Sequence, residues 1–386
     1  MMPLAGLRVV DFTWVLAGPM ATKALALMGA EVIKIESTTR PEYSRRGGTG
    51  PLVNNNKKSC TINIKSEEGQ TLVRQLVAKS NIVVENFSAE VLDRLGLDYD
   101  SLKKVKADLI YVSSSGLGRT GPHRDALAYG TLLQAFSGRA TMVGNFNSRL
   151  EGMGLTGWVD PIVAQWEMLA ILAAIDNWRR KGVGARIDVS MLECTVSLLP
   201  EALIGEALGI PNTPTRGFRD VDAAPSGCFR CTGEDSWIMV SVLDDDHWRG
   251  LCAALERPDL VSHRSYGDAG LRLADKAVLD GIVAAWTRDR DAAEAEATLL
   301  AHGVPASRTL NIGEAIATPS SRQRDLFPLL PDGTRTFGQA WREADGWRPK
   351  LAPPPDLGGD NAYVFGELLG LPDAEIERLT ASGVIQ

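Results

Sequence analysis

The fold of this chain is decided near its start, where two short apolar strands flank a helical run. The first strand reads Leu7-Arg8-Val9-Val10-Asp11-Phe12, and the second reads Glu31-Val32-Ile33-Lys34-Ile35-Glu36. Between them, Gly18-Pro19 opens a helix over Met20–Met28, and Gly29 closes it. Two buried strands joined by a helix are typical of a parallel β-α-β unit, because parallel strands need a long crossover connection.

The same alternation continues through the first half of the chain and predicts an α/β fold with a mostly parallel sheet. Further strands are predicted at Cys60–Ile64, Ile82–Phe87, Leu109–Ser113 and Arg186–Val189. Helices are predicted at Glu67–Ala78, Ala89–Leu95, Tyr99–Lys106 and Ile162–Trp178, and again from Met191.

The composition changes after residue 205 and predicts a second, smaller domain. Residues 1–205 form the first part of a large Rossmann-like domain, and residues 206–225, rich in Gly, Pro, Thr and Arg, are interpreted as a linker. Residues 226–325 are predicted to form a small α+β domain that begins with a hairpin. Residues 326–386 are expected to return to the large domain.

Charge and cysteine content exclude several classes of function. The chain has 386 residues and a formal net charge of −7, so its surface as a whole does not favour nucleic acid or anionic lipid. Five cysteines, an odd number, are typical of reduced thiols inside the cell. The chain lacks a secretory leader pattern and the run of ~18 apolar residues that a membrane span needs. We therefore expect a cytoplasmic protein without nucleic-acid or membrane partners.

Motifs for other chemistries are incomplete. A dinucleotide site needs G-x-G-x-x-G after the first strand, and only Gly18 stands there. Cys228 and Cys231 form a single C-x-x-C without the second pair of a zinc ribbon, so we predict no metal. The serines at 113–115 lack the G-x-S-x-G context of a nucleophilic serine.

Asp160 admits two interpretations. It stands in Trp158-Val159-Asp160-Pro161, directly before the long apolar helix. An aspartate there is typical of an N-cap, with Pro161 as the first helical residue. A carboxylate at a helix N-terminus also stays ionised, as a nucleophile attacking a thioester must be. Composition and spacing leave both open.

The first hundred residues also carry seven basic side chains that are candidates for an anion site. They are Arg40, Arg45, Arg46, Lys57, Lys58, Lys65 and Arg94. Such a group is typical either of a solvated surface or of side chains that neutralise phosphates.

Several ordered motifs resemble one known family. They begin with Leu4–Thr13, Leu16-Ala17-Gly18-Pro19 and Met28–Glu36. They continue through Asn56–Ser59, Val84–Phe87, Leu92–Gly96, Gly116–Gly118, Thr120–Pro122, Ile171–Ala174, Asp188–Glu193, Ala224-Pro225 and Gly383–Ile385. Together these stretches resemble the class III CoA-transferases (the CaiB/BaiF family), which also contain α-methylacyl-CoA racemases.

The resemblance implies a fold, a ligand and a nucleophile. It implies a Rossmann-like CoA-binding large domain built from both chain ends, a small domain and an interlocked homodimer. The family's nucleophilic aspartate precedes an I-L-A-A run by eleven residues, as Asp160 precedes Ile171. The implied CoA-binding residues are Val15, Leu16, Arg40, Ile62, Lys65, Asn86, Phe87, Arg94 and Tyr129.

Transfer is favoured over racemisation by a missing histidine. The racemases carry a histidine in a stretch that corresponds to Asp125–Gly130 here, where none occurs. One base does not readily serve both faces of a substrate. We therefore expect CoA to move from an acyl-CoA donor to a carboxylic acid acceptor through an aspartyl-CoA thioester on Asp160. A racemase and a non-catalytic CoA-binding subunit remain the alternatives.

Overall fold

The computed structural model describes residues 2–88, 90–143, 158–210, 222–342, 344 and 348–386. These residues fall in two compact units. The large unit lies within residues 1–140, 153–210 and 322–386, and the small unit within residues 141–152 and 211–321.

A six-stranded parallel sheet forms the centre of the large unit. Its strands are β1 (Arg8–Asp11), β2 (Glu31–Glu36), β3 (Lys58–Thr61), β4 (Ile82–Glu85), β5 (Ile110–Ser115) and β6 (Ala185–Ser190). Their order is β3-β2-β1-β4-β5-β6, and all neighbours are parallel, which confirms the α/β fold class. This is the Rossmann order, in which a crevice opens between β1 and β4 at the carboxyl ends of the strands.

The helices follow in chain order along both units. They are α1 (Ala17–Leu27), α2 (Tyr43–Arg46), α3 (Gly50–Val53), α4 (Glu67–Ala78), α5 (Tyr99–Lys103), α6 (Gly130–Phe136), α7 (Val159–Lys181), α8 (Met191–Val196), α9 (Pro200–Ala207), α10 (Asp245–Ala254), α11 (Pro258–Val261), α12 (Ala269–Ala274), α13 (Lys276–Arg288), α14 (Ala292–Ala301), α15 (Ile312–Ala317), α16 (Pro319–Gln323) and α17 (Asp373–Ala381).

Two helix predictions are wrong for identifiable reasons. Within the predicted helix Ala89–Leu95, the described residues form only a 3₁₀ turn at Asp93–Leu95. Gly96 follows in the left-handed conformation, at φ +62°, and ends that turn. Helix α7 has Trp158 as its N-cap, so Asp160 is its second residue and not its cap.

The two faces of the large sheet bury separate apolar cores. Helices α1 and α7 pack together on one face, over side chains such as Val9, Val84 and Val112. The other face packs against α4, α5 and the C-terminal segment. The C-terminal segment is hydrogen-bonded to the residues that follow β3. The Asn63 N–H there donates to the Val384 carbonyl at 2.8 Å.

The small unit contains a three-stranded antiparallel sheet. Its strands are β7 (Ser226–Arg230), β8 (Trp237–Ser241) and β9 (Ala306–Arg308), in the order β7-β8-β9. Buried side chains of α10, α13 and α14 form its core with the sheet. In the part of the chain that is described, no helix is both long and apolar enough to cross a membrane.

Candidate active site

The candidate site lies at the carboxyl ends of β1 and β4, between which the order of the strands in the sheet reverses. The chain leaves β1 through Trp14 and leaves β4 through Asn86. The Asn86 side chain joins the two exits, because its Oδ1 accepts the Trp14 N–H at 2.7 Å and its Nδ2 donates to the Trp14 carbonyl at 2.8 Å. The position of the loop after β1 is therefore set by β4.

The buried carboxylate of Asp11, at the end of β1, holds the same loop through hydrogen bonds. Asp11 is fully buried and accepts hydrogen bonds from the Thr13 N–H (2.8 Å), the Thr22 hydroxyl (2.7 Å) and Lys57 Nζ (3.0 Å). Burial raises the pKa of Asp11, but the charges of Lys57 and Lys34 and the neighbouring hydroxyls outweigh it and lower that pKa to about 2. Lys57 thus belongs to an internal ion pair.

Val15 adopts a conformation that a β-branched residue rarely adopts. Its φ is +70°, in the left-handed region. The Val15 N–H donates to Glu42 Oε2 at 3.1 Å, and Glu42 is buried 3.7 Å from Lys34 Nζ. Such strain persists where the surroundings enforce it and is common at functional sites. The side chain remains 40% exposed and borders a cavity.

One cavity, here called the basic cavity, has a volume of about 430 Å³. It is lined by Phe12, Trp14, Ile35, Glu36, Ser37, Thr39, Arg40, Ile62, Asn63, Ile64, Lys65, Phe87, Ser88, Val91, Arg94 and Leu95. Its three cations, Arg40, Lys65 and Arg94, form no ion pair with any described residue. Unpaired cations around one cavity favour an anionic ligand.

The remaining basic side chains of the first hundred residues divide differently. Arg45 pairs with Glu36 at 2.5 Å, and Lys58 pairs with Asp360 at 3.6 Å. Arg46 is exposed and does not line the basic cavity. The seven basic residues therefore do not form one group: some line the basic cavity, some are ion-paired and one is exposed outside it.

A second cavity, here called the Asp160 cavity, has a volume of about 510 Å³. It is lined by Trp14, Val15, Leu16, Ala17, Tyr43, Asn86, Phe87, Ser88, Ser114, Ser115, Gly116, Arg124, Ala126, Leu127, Ala128, Tyr129, Gly130, Thr131, Asp160 and Met191. It shares Trp14, Phe87 and Ser88 with the basic cavity, so the two adjoin. Every site residue predicted from the sequence lines one cavity or the other.

Asp160 is the only carboxylate among the described residues that line its cavity. Burial raises the pKa of its carboxyl, while the backbone N–H groups of Asp160 itself and of Ala17 lower it by less. Ala17 is the first residue of α1, so the carboxylate lies at the N-terminus of that helix. The expectation that a helix terminus controls this group is corrected, because desolvation has the larger effect.

Among the lining residues that the sequence analysis did not predict, Trp14 and Arg124 have contacts or charge that matter for the site. The Trp14 ring meets the Phe87 ring edge-on at 5.8 Å, and the Arg40 guanidinium lies 5.0 Å from the Trp14 ring centre. Trp14 thus contacts residues of both cavities. Its place three residues after the end of β1 is the signal that could have identified it. Arg124 is the only cation among the described residues lining the Asp160 cavity, and its sequence context carries no comparable signal.

The sequence matches a known family over nearly its whole length. Residues 4–361 match CoA-transferase family III. The chain belongs to this family. Its membership confirms the resemblance seen in the sequence and makes the protein an enzyme of the class III CoA-transferase type.

Named relatives of this CoA-transferase support the same assignment. It is 30% identical over 403 residues to the succinyl-CoA–D-citramalate CoA-transferase of Chloroflexus aurantiacus, covering 99% of this chain and 98% of that protein. It is 31% identical over 340 residues to the succinyl-CoA:mesaconate CoA-transferase of Haloarcula marismortui, covering 84% of each. The crystal structure of a CAIB/BAIF family protein from Brucella suis superposes with a TM-score of 0.87 at 28% identity, covering 95% of this chain and 99% of that one.

Proposed function

We propose that this CoA-transferase moves CoA from an acyl-CoA thioester to a free carboxylic acid through a covalent thioester on Asp160. The observation that carries the proposal is the position of Asp160, the sole described carboxylate lining a cavity that adjoins the basic cavity. A nucleophile and an anion site that share one wall suit a ligand with a phosphate end and a reactive thioester end.

The basic cavity supplies the groups that CoA would need at its phosphate end. Arg40, Lys65 and Arg94 would neutralise the phosphates, and Ile62 would supply apolar surface. The thiol arm would then pass Trp14 and Phe87, which border both cavities, before reaching Asp160.

The proposed reaction exchanges one activated acyl bond for another at every step. The Asp160 carboxylate attacks the donor carbonyl, and the C–S bond breaks to give a mixed anhydride and CoA thiolate. The thiolate attacks the Asp160 carbonyl and releases the donor acid as a carboxylate. The acceptor carboxylate then attacks the Asp160 thioester, giving a second anhydride and again a thiolate. Attack of that thiolate on the acceptor carbonyl forms the new acyl-CoA and regenerates Asp160.

We infer that the donor and acceptor are dicarboxylic acids. The relatives are named for succinyl-CoA with citramalate or mesaconate, and each of these acids carries two carboxyl groups. Arg124, in the Asp160 cavity, would meet the spare carboxylate. Its present partners, Glu90 at 3.3 Å and Asp125 at 3.5 Å, are exposed, so these pairs are weak and a substrate can replace them.

A racemase would need a second base beside Asp160, and the described lining of the Asp160 cavity offers no histidine for that role. His123 instead meets the Phe136 ring edge-on at 6.2 Å. Exchange of the α-proton of an acyl-CoA with solvent deuterium, without CoA transfer, would favour the racemase.

We also propose that the enzyme is a cytoplasmic homodimer. Large apolar side chains are exposed on α6, α7 and α9 of the large unit. They include Leu132, Phe136, Trp166, Leu169, Leu203 and Ile204. An exposed apolar surface of this kind is typical of an interface, and a second copy is the partner that the family resemblance implies. Light scattering coupled to size exclusion tests this, and a monomer at micromolar concentration would contradict it.

Intact-protein mass spectrometry after incubation with succinyl-CoA tests the covalent scheme. We expect the wild type to gain the mass of CoA less one water, as an adduct that hydroxylamine removes, and no such gain on Asp160→Asn. Asp176→Asn is the matched control, because Asp176 lies on the same helix but is exposed and paired with Arg180. A failure to form any adduct with a panel of acyl-CoA donors, while CoA still binds, would contradict covalent transfer and favour a non-catalytic CoA-binding subunit.

A further inference from the structure

Helix α7 carries a second carboxyl group that the proposed chemistry does not use. Glu167 is seven residues after Asp160, two helical turns or about 10 Å along the same helix. It is 0% exposed, and neither side-chain oxygen has a hydrogen-bond partner. A buried carboxylate without hydrogen-bond partners is strongly unfavourable, so this group is expected to be present as the neutral, protonated acid.

The charges nearest to Glu167 are negative. Burial raises the pKa of Glu167 most, and the charges of Asp11 on β1, Asp160 on α7 and Glu85 on β4 raise it further, to about 7. The Cys194 thiol on α8 also faces it, and the pKa of that thiol is raised to about 11, so it stays neutral. Glu167 therefore holds a proton far above the usual pH range of a glutamic acid.

Cations on the elements around Glu167 are engaged elsewhere. Lys23, the titratable residue of α1, donates to the Leu52 carbonyl at 2.9 Å. Lys57 pairs with Asp11, and Arg119 pairs with Glu85. On β6, Arg186 lies 3.7 Å from Asp100, while the Asp188 carboxylate accepts the Arg119 N–H. Helix α6 carries no titratable side chain.

Ser114 connects this buried carboxyl to the Asp160 cavity. It lies in β5 and lines that cavity. Its hydroxyl is close enough to lower the pKa of Glu167, although no hydrogen bond of good geometry joins them as both stand. The serine hydroxyl can donate to this carboxyl and favours its ionised form, so a change at Ser114 alters the pKa of Glu167.

We propose that Glu167 acts on the reaction indirectly by staying protonated, which leaves Asp160 as the only negative charge at its cavity. The inference rests on the proposed covalent transfer. Both reagents that attack at Asp160, the acceptor carboxylate and the CoA thiolate, are anions. Ionisation of Glu167 places a second, poorly screened negative charge behind Asp160 and opposes the approach of both.

The test is the pH profile of CoA transfer and of adduct formation on Asp160. For the wild type we expect kcat/KM for the acceptor acid to fall above about pH 7 and to level off about tenfold lower once Glu167 is fully ionised. Glu167→Gln, which stays neutral, should remove this alkaline limb. Glu193→Gln, an exposed change on the neighbouring α8, should retain it.

Ser114→Ala keeps the proposal testable if Glu167→Gln does not fold. Because Ser114 lowers the pKa of Glu167, its removal should shift the alkaline limb to higher pH. An unchanged limb in a folded Glu167→Gln or in Ser114→Ala overturns the role of Glu167. Adducts that form at low pH in every variant leave covalent transfer standing, whereas wild type without an adduct at any pH contradicts the transfer scheme itself.

Discussion

The side-chain amide of Asn86 binds both main-chain polar groups of Trp14. Its Oδ1 lies 2.7 Å from the Trp14 nitrogen, and its Nδ2 lies 2.8 Å from the Trp14 oxygen. The two residues are 72 positions apart in the sequence. They follow β1 and β4, the strands between which the strand order reverses. Asn86, predicted as a CoA contact, therefore also fixes the loop that carries Trp14 and the strained Val15.

Asn86→Asp should weaken CoA binding about tenfold, since a lost hydrogen bond of this kind is worth about 1–2 kcal/mol. The aspartate keeps one acceptor oxygen but replaces the donor with a second oxygen facing the Trp14 carbonyl. Titration calorimetry with CoA measures the change. Asn81→Asp is the control, because Asn81 Oδ1 only accepts the Arg8 N–H, at the other end of the sheet. Equal CoA affinity in wild type and Asn86→Asp would contradict the positioning role.

The cations of the basic cavity should make CoA binding sensitive to salt. Replacing Arg94, Arg40 or Lys65 by Gln should each raise the Kd for CoA about tenfold at low ionic strength and reduce its dependence on salt. Arg46→Gln should change neither, because Arg46 is exposed and outside the cavity. Unchanged affinity in all three cavity variants would show that the phosphates bind elsewhere.

How much the sequence could predict depended on whether the deciding interactions are local. Helix α4 has its predicted bounds, and its cap is local, with the Ser66 hydroxyl accepting the Gly69 N–H at 3.1 Å. The N-cap prediction for Asp160 failed because its carboxylate meets α1, far away in the sequence. Lys57 could not be separated from the cavity cations either, since its partner Asp11 is 46 residues away.

The buried pair of Asp11 and Lys57 should dominate the acid stability of the large unit. Asp11 has its pKa lowered from 3.8 to about 2, so its contribution is present above pH 3.8 and is lost as the pH falls towards 2. Its size is about 2 kcal/mol. Lys57→Met removes the only cation that is ion-paired with Asp11 and leaves the more distant Lys34, so it should lower the free energy of unfolding by about 3 kcal/mol at neutral pH.

Urea denaturation followed by circular dichroism measures that loss. The double variant Asp11→Asn with Lys57→Met should recover part of it, because no uncompensated charge remains. Arg180→Ala, which breaks an exposed pair with Asp176, should change stability by less than about 1 kcal/mol. A Lys57→Met protein as stable as the wild type would mean that the pair is not buried in solution.

Glu167 should reduce the stability of the protein as the pH rises from acidic to neutral. Its pKa is raised from 4.5 to about 7 in the folded chain, so between these values the folded state holds a proton that the unfolded state has released. Stability therefore falls as the pH rises from 4.5 to about 7 and changes no further through this group above that. The total loss is about 3 kcal/mol. Glu167→Gln should abolish this loss, so the free energy of unfolding of the variant should rise relative to that of the wild type as the pH rises. Unfolding free energies of wild type and variant that stay parallel from about pH 5 to about pH 8 would show that Glu167 has an ordinary pKa.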